Sequence, residues 1–245
     1  MKTDPVLPTV PATPMHDVVF LIDVDNTLLD NDRIVADLRE HLVREFGASS
    51  ADRYWVEFET LRSELGYADY LGALQRYRAD IEASGPGAHR LLSMSSFLVD
   101  YPFAERLYPH ALEVLARLSR HGPTVILSDG DVVFQPRKIE RSGLRAAVAD
   151  RVLVFIHKEQ MLDVVAQHFP ARCYVMIDDK ERILTAMKAI WGARLVTVFP
   201  RQGHYAHDPA NAGRYPPADC TVERIGDLLA IDLDALLGAA LTEKS

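Results

Sequence analysis

The sequence predicts an α/β protein built on a doubly wound parallel sheet, with a block of helices inserted after the first strand. Three observations carry this prediction. Short apolar runs recur along the chain and alternate with segments of helical length and period. Those runs end in polar or acidic residues, as strands do where an open parallel sheet presents its carboxyl edge to a ligand. Between residues 31 and 103 the alternation stops, and only helical spacing remains.

The first run, Val18 to Asp25, is continuously apolar until its acids, the pattern of a central strand buried on both faces. TVILSD ends at Asp129, CYVMIDD at Asp179 and RLVTVF at Phe199, and a weaker run, RVLVFI, precedes His157. Helical segments lie between them: Pro109 to His121 runs into Gly122, Lys158 to Phe169 into Pro170, and Lys180 to Trp191 into Gly192. In the inserted block three sets fall at helical spacing: Ile34, Leu38, Leu42 and Phe46; Tyr54, Phe58, Leu61 and Leu65; and Tyr70, Leu74, Tyr77 and Ile81. A Gly85-Pro86-Gly87 turn leads to a last apolar segment around Leu91 to Val99. The expected organisation is a core of residues 1–30 and 104–245, with 1–15 a flexible leader, and a helical block over 31–103.

Composition narrows the function. A formal charge of −8 disfavours general nucleic-acid binding, which selects for clustered Lys and Arg. Cys173 and Cys220 are too few and too far apart for a disulfide framework or a zinc site, which fits a reducing cytoplasm. The first fifteen residues hold four prolines and no apolar run, unlike a secretory signal, and no stretch has the length of a membrane span.

The chemistry stands at the strand ends. Asp23, Asp25, Asn26 and Thr27 follow the first run, Ser128 and Asp129 close the second, Lys158 follows the weaker one, and Asp178-Asp179 end the fourth. Carboxylates gathered in one cleft repel each other unless a cation joins them. An all-oxygen donor set selects a hard ion, Mg²⁺ where phosphate is handled. In such a site Asp23 can attack phosphorus, Asp25 can protonate the departing alcohol and then activate water, and Ser128 and Lys158 can bind the phosphoryl oxygens.

These residues resemble the motifs of the haloacid dehalogenase-like (HAD) superfamily. Asp23-Val24-Asp25-Asn26-Thr27-Leu28-Leu29-Asp30 is similar to its DxDGT-L-x-D signature, with Asn26 where glycine is commoner. Ser128, Lys158 and Asp178-Asp179 fit the second, third and fourth motifs in order. The resemblance implies a Rossmann-like core with an α-helical cap and a Mg²⁺-dependent phosphatase acting on a small phosphorylated metabolite through an aspartyl phosphate. It makes Asp23 the nucleophile and a metal ligand, and Asp25 the acid/base that also offers its carbonyl to the metal. Asp179 becomes a further ligand with Asp178 in support, and Asn26, Ser128, Asp129 and Lys158 bind substrate. Thr27 steadies the loop.

Two departures stand out: Ile183 and Leu184 occupy the places of a usual third acid, so Asp178 or Glu181 must supply it, and Lys158 competes with Lys138 for the third motif. Asp25 speaks against a dehalogenase, which needs no acid at that position. The lack of any lysine between Lys2 and Lys138 excludes a Schiff-base route through the cap. A phosphotransferase or phosphomutase, and a weakly catalytic binder of phospho-ligands, stay open. Arg76, Arg78 and the donor-rich loop Arg201 to His207 are further candidates for contact with an anionic substrate, and His157 a weaker one.

Overall fold

A computed structural model describes residues 14–84, 88–211 and 213–242. Most of the leader, residues 1–13, and the Gly85-Pro86-Gly87 turn lie outside the described residues. The elements run β1 (His16–Ile22), α1 (Asn31–Phe46), α2 (Ala48–Leu65), α3 (Tyr70–Ser84), α4 (Ala88–Asp100), α5 (Ala111–Leu118), β2 (Thr124–Asp129), α6 (Phe134–Arg141), α7 (Leu144–Ala147) and β3 (Val152–Phe155). They continue with α8 (Leu162–His168), β4 (Ala171–Ile177), α9 (Glu181–Trp191), β5 (Leu195–Pro200), α10 (Gly203–His207), β6 (Cys220–Val222) and α11 (Leu233–Thr242). No helix among the described residues is long and apolar enough to cross a membrane.

The six strands form one parallel sheet in the order β3-β2-β1-β4-β5-β6. The chain builds outward from β1 through β2 to β3, then returns to place β4 on the other side of β1. That reversal puts the switch point between β1 and β4, where Ile22 pairs with Ile177 and the Asp23 amide donates to the Ile177 carbonyl at 3.0 Å.

Alternation along β1 explains why the sheet is covered twice. Val18, Phe20 and Ile22 join one apolar cluster with α5, α6, α7 and α11, while Val19 and Leu21 join another with α8 and α9. Each side chain so buried contributes roughly 1.5–3 kcal/mol. The first cluster extends without a break through Leu28 and Leu29 into Ile34, Leu38, Leu42, Tyr54 and Phe58 of α1 and α2. The helical stripes expected over 34–46 and 54–65 are therefore core through Leu42 and Leu61, with Phe46 packed against the cluster partly buried and Leu65 exposed.

Two boundaries and one strand differ from the sequence reading. β1 stops at Ile22, because the Val24 carbonyl collects the amides of Thr27, Leu28 and Leu29 and turns the chain. Lys158 opens a short 3-10 turn before α8 rather than the helix itself. The three-residue strand β6 carries too little apolar pattern to be expected.

Candidate active site

The turn at the end of β1 sets the nucleophile position. Asp30 caps α1, its Oδ1 accepting from the Arg33 amide at 2.9 Å, and Asn26 sits at φ 59, a left-handed conformation that Asn tolerates better than most side chains. Asp23 is thereby fixed at the sheet edge and is 2 % exposed. Thr27 ties this loop to the end of β4, its Oγ1 accepting from the Asp179 amide at 3.0 Å.

Asp23, Asp178 and Asp179 each present an oxygen within 4.8 Å of the others. Lys158 stands among them, 2.5 Å from Asp23 Oδ1 and 2.7 Å from Asp178 Oδ2, the latter an ion pair without hydrogen-bond alignment. Asp23 Oδ2 and both oxygens of Asp179 are buried and have no hydrogen-bond partner among the described residues. Asp178 also caps the next turn, accepting from the Lys180 amide at 2.8 Å. Asp178 is thus engaged by lysine, whereas neither oxygen of Asp179 accepts a hydrogen bond from a described residue. Ile183 and Leu184 are packed in the core, and of the two acids that could stand in for the third, Asp178 joins the cluster and Glu181 does not.

Electrostatics explain what the cluster lacks. Burial pushes the Asp178 carboxyl up despite the Lys158 ammonium beside it. Burial pushes Asp179 higher still, aided by Asp178 and Asp23 and opposed by Lys180. Burial opposes the charge of Lys158, but Asp178, Asp23 and Asp129 prevail and raise its pKa. Lys180 follows the same balance, with Asp179 its main support. An all-oxygen set with orphaned, destabilised carboxylates fits a hard divalent cation such as Mg²⁺.

Asp25 points to different partners. Lys138 Nζ, buried in α6, donates to its Oδ1 at 2.8 Å and Oδ2 at 3.0 Å, and to Asn31 Oδ1 at 3.1 Å. Gln135 bridges the two motifs, donating to Ser128 Oγ at 3.0 Å and Asp25 Oδ2 at 3.4 Å. Ser128 Oγ in turn lies 3.5 Å from Asp23 Oδ1. The two competing lysines have separate posts: Lys158 serves Asp23 and Lys138 serves Asp25. Asp129 accepts the Lys158 amide at 2.7 Å, and burial raises its carboxyl to about 6.

Asn26, expected to bind substrate, has a side chain committed to the start of α1. Its Oδ1 accepts from the amides of Asn31 and Asp32, and its Nδ2 donates to Asp32 Oδ1 at 3.0 Å. Asp32 is shared with the loop after β5, accepting from the His204 amide at 2.7 Å and lying 2.6 Å from His204 Nδ1. Gly203 makes this approach feasible: its φ is +69, and a Cβ there would fall 2.5 Å from Asn26 Cβ. Gln202, unremarked within its donor-rich loop, anchors that loop by donating to the carbonyls of Asn26 and Thr27. Arg62 of α2 donates to the Tyr205 hydroxyl, and His157 packs on Gly66, where an added Cβ would sit 2.9 Å from the ring. Arg76 pairs instead with Glu64, and neither lines the space below.

Between the inserted helices and the strand ends lies a cavity of about 720 Å³. Asp25, Asn26, Asp129 and Lys180 border it on the sheet side, and Val35, Arg39, Trp55, Phe58 and Tyr70 on the helical side.

Reactive groups at the carboxyl edge of a doubly wound parallel sheet place the chain among the Rossmann-like α/β enzymes. Within that class it belongs to the haloacid dehalogenase-like hydrolases, whose family model matches residues 18–190. A crystal structure assigned to a haloacid dehalogenase-like hydrolase of Burkholderia xenovorans LB400 is 66% identical, covers 91% of this chain and 99% of that one, and superposes with a TM-score of 0.84. Two more distant structures share the fold. L-2-haloacid dehalogenase from Xanthobacter autotrophicus, with chloropropionic acid covalently bound, is 18% identical over 87% of this chain and 97% of that one, TM-score 0.55. The HAD-hydrolase YfnB from Bacillus subtilis, bound to magnesium, is 17% identical over 88% and 98%, TM-score 0.56. No curated protein matches the chain.

Proposed function

We propose that the protein is a Mg²⁺-dependent phosphatase that hydrolyses a small phosphomonoester through an aspartyl phosphate on Asp23. The observation that carries this reading is the cluster of Asp23, Asp178 and Asp179, with Asp23 Oδ2 and both Asp179 oxygens buried and unpartnered. Asp23 and Asp179 would hold the ion, a role with which the magnesium bound to YfnB is in keeping. Bound Mg²⁺ supplies charge neutralisation at the carboxylates and at the phosphoryl oxygens.

The protein groups do the rest. One Asp23 oxygen attacks phosphorus while the ester oxygen leaves with a proton from Asp25. Asp25 then takes a proton from the water that cleaves the acyl phosphate, returning Asp23 and releasing phosphate. Ser128 Oγ donates to a phosphoryl oxygen, and the Lys158 ammonium offsets the charge that develops. Lys138 and Gln135 hold Asp25 in place between these steps. The inserted helices act as a cap that excludes water and reads the substrate body.

The dehalogenases among the relatives share the fold at low identity, and an acid at Asp25 has no task in displacing halide. Turnover of p-nitrophenyl phosphate and of 2-chloropropionate, each with Mg²⁺ or with EDTA, tests the reading, with Asp23→Asn as control. The expected result is Mg²⁺-dependent release of phosphate by the wild type alone. Chloride release without phosphate release would replace this reading with dehalogenation.

A further inference from the structure

The helical wall of the cavity is chemically uneven. Val35, Trp55, Phe58 and Tyr70 make it largely apolar, yet Arg39 and Arg62 also line it. Most charges around the cavity are already answered: Asp25 by Lys138, Asp32 by hydrogen bonds from the His204 amide and the Asn26 side chain, Arg182 by Glu159 at 3.0 Å, and Arg62 by Glu59 at 3.5 Å and by Tyr205. Arg39 differs. Its guanidinium lies 4.7 Å from the centre of the Trp55 ring and makes no ion pair with any described residue. A guanidinium held against an indole is oriented by the ring, while its in-plane N–H groups stay free to form a fork for an anion.

Arg39 sits two turns along α1, about 12 Å from the helix start that adjoins Asp25. The ties of Asp32 to His204 and of Arg62 to Tyr205 fix α1 and α2 against the core, so this cation faces the same cavity as the reacting groups. We propose that the substrate carries a second anionic group, a carboxylate or a phosphate, on an apolar or planar body remote from the reacting ester, and that Arg39 backed by Trp55 receives it. This rests on the phosphatase reading for the reacting end only, because the anion site is built from side chains that take no part in the chemistry.

Matched probes test it. Phenyl phosphates bearing a para-carboxylate, a para-phosphate or a neutral para-carboxamide are compared in the wild type and in Arg39→Met. Two readouts are taken: kcat/KM, and affinity by calorimetry in the Asp23→Asn background with Mg²⁺ present. Roughly tenfold preference for either anion over the carboxamide, collapsing in Arg39→Met, is expected from a charge-assisted pair. Whichever anion shows the larger preference names the source. Equal affinity for all three probes, or a preference that survives Arg39→Met, overturns the anion site. Selective, Arg39-dependent binding without turnover would uphold the anion site and strike the phosphatase reading alone.

Discussion

The ammonium of Lys158 stands 2.5 Å from Asp23 Oδ1, and both side chains are almost wholly removed from water. The same ammonium lies 2.7 Å from Asp178, so one lysine neutralises two of the three clustered acids. Breaking a buried pair of this kind costs about 3–5 kcal/mol, because the surviving charge is left stranded. Lys158→Met should therefore melt earlier than the wild type in EDTA and recover part of the loss with Mg²⁺. Its turnover should fall roughly 10²- to 10³-fold, as when a single charge-stabilising donor is removed. Thermal melts with and without Mg²⁺, alongside kcat, check both.

Asp25 is assigned two opposite proton transfers, and its removal separates them. A nitrophenolate leaves without help, so Asp25→Asn should still be phosphorylated by p-nitrophenyl phosphate but should hydrolyse the intermediate slowly. Rapid mixing should show a burst of nitrophenolate followed by a slow steady state. A uniform slowing with no burst would remove Asp25 from the second step.

Asp129 gives a pH signature in metal-free protein. Burial raises its carboxyl to about 6, above the ordinary value near 3.9, so folding favours the protonated form. Its ionisation therefore subtracts stability as pH rises from about 4 to about 6, by up to about 3 kcal/mol, and less where water reaches its open side. Denaturant melts in EDTA should show the wild type losing stability relative to Asp129→Asn across that window.

Asp32 has the opposite sign. Burial opposes its charge, but hydrogen bonds from His204 and Asn26 prevail and lower its pKa. The stability it adds is present above roughly pH 4 and lost as pH falls further. Unfolding free energies of wild type and Asp32→Asn, measured by denaturant melts at a series of pH values, should converge below that range and separate above it. Because Asp32 also ties the loop after β5 to α1, Asp32→Asn should raise KM more than it lowers kcat.

Much of the frame was legible from residue type. The runs forming β1, β2, β4 and β5 are apolar because both sheet faces are covered; β1, β2 and β4 lead into the acids and Ser128, and Lys158 follows the weaker β3. What escaped is relational. Lys138 and Lys158 are equal by type, and only the coordinates divide them between Asp25 and Asp23 across long chain separations. Asp178 and Asp179 are neighbours with different surroundings, since one pairs with Lys158 and the other has no hydrogen bond to either oxygen among the described residues. Asn26 replaces a glycine in the motif, which points to a left-handed turn but not to its bonds with Asp32. β6 is too short to announce itself, and Arg39 acquires meaning only once α1 is laid beside Trp55 of α2.

The most direct measurement is the intact mass and peptide map of Asp25→Asn after brief mixing with p-nitrophenyl phosphate. With Mg²⁺ present, one added phosphoryl group on the peptide containing Asp23 is expected, and none in EDTA. No adduct with Mg²⁺, or one carried by another residue, would contradict the account.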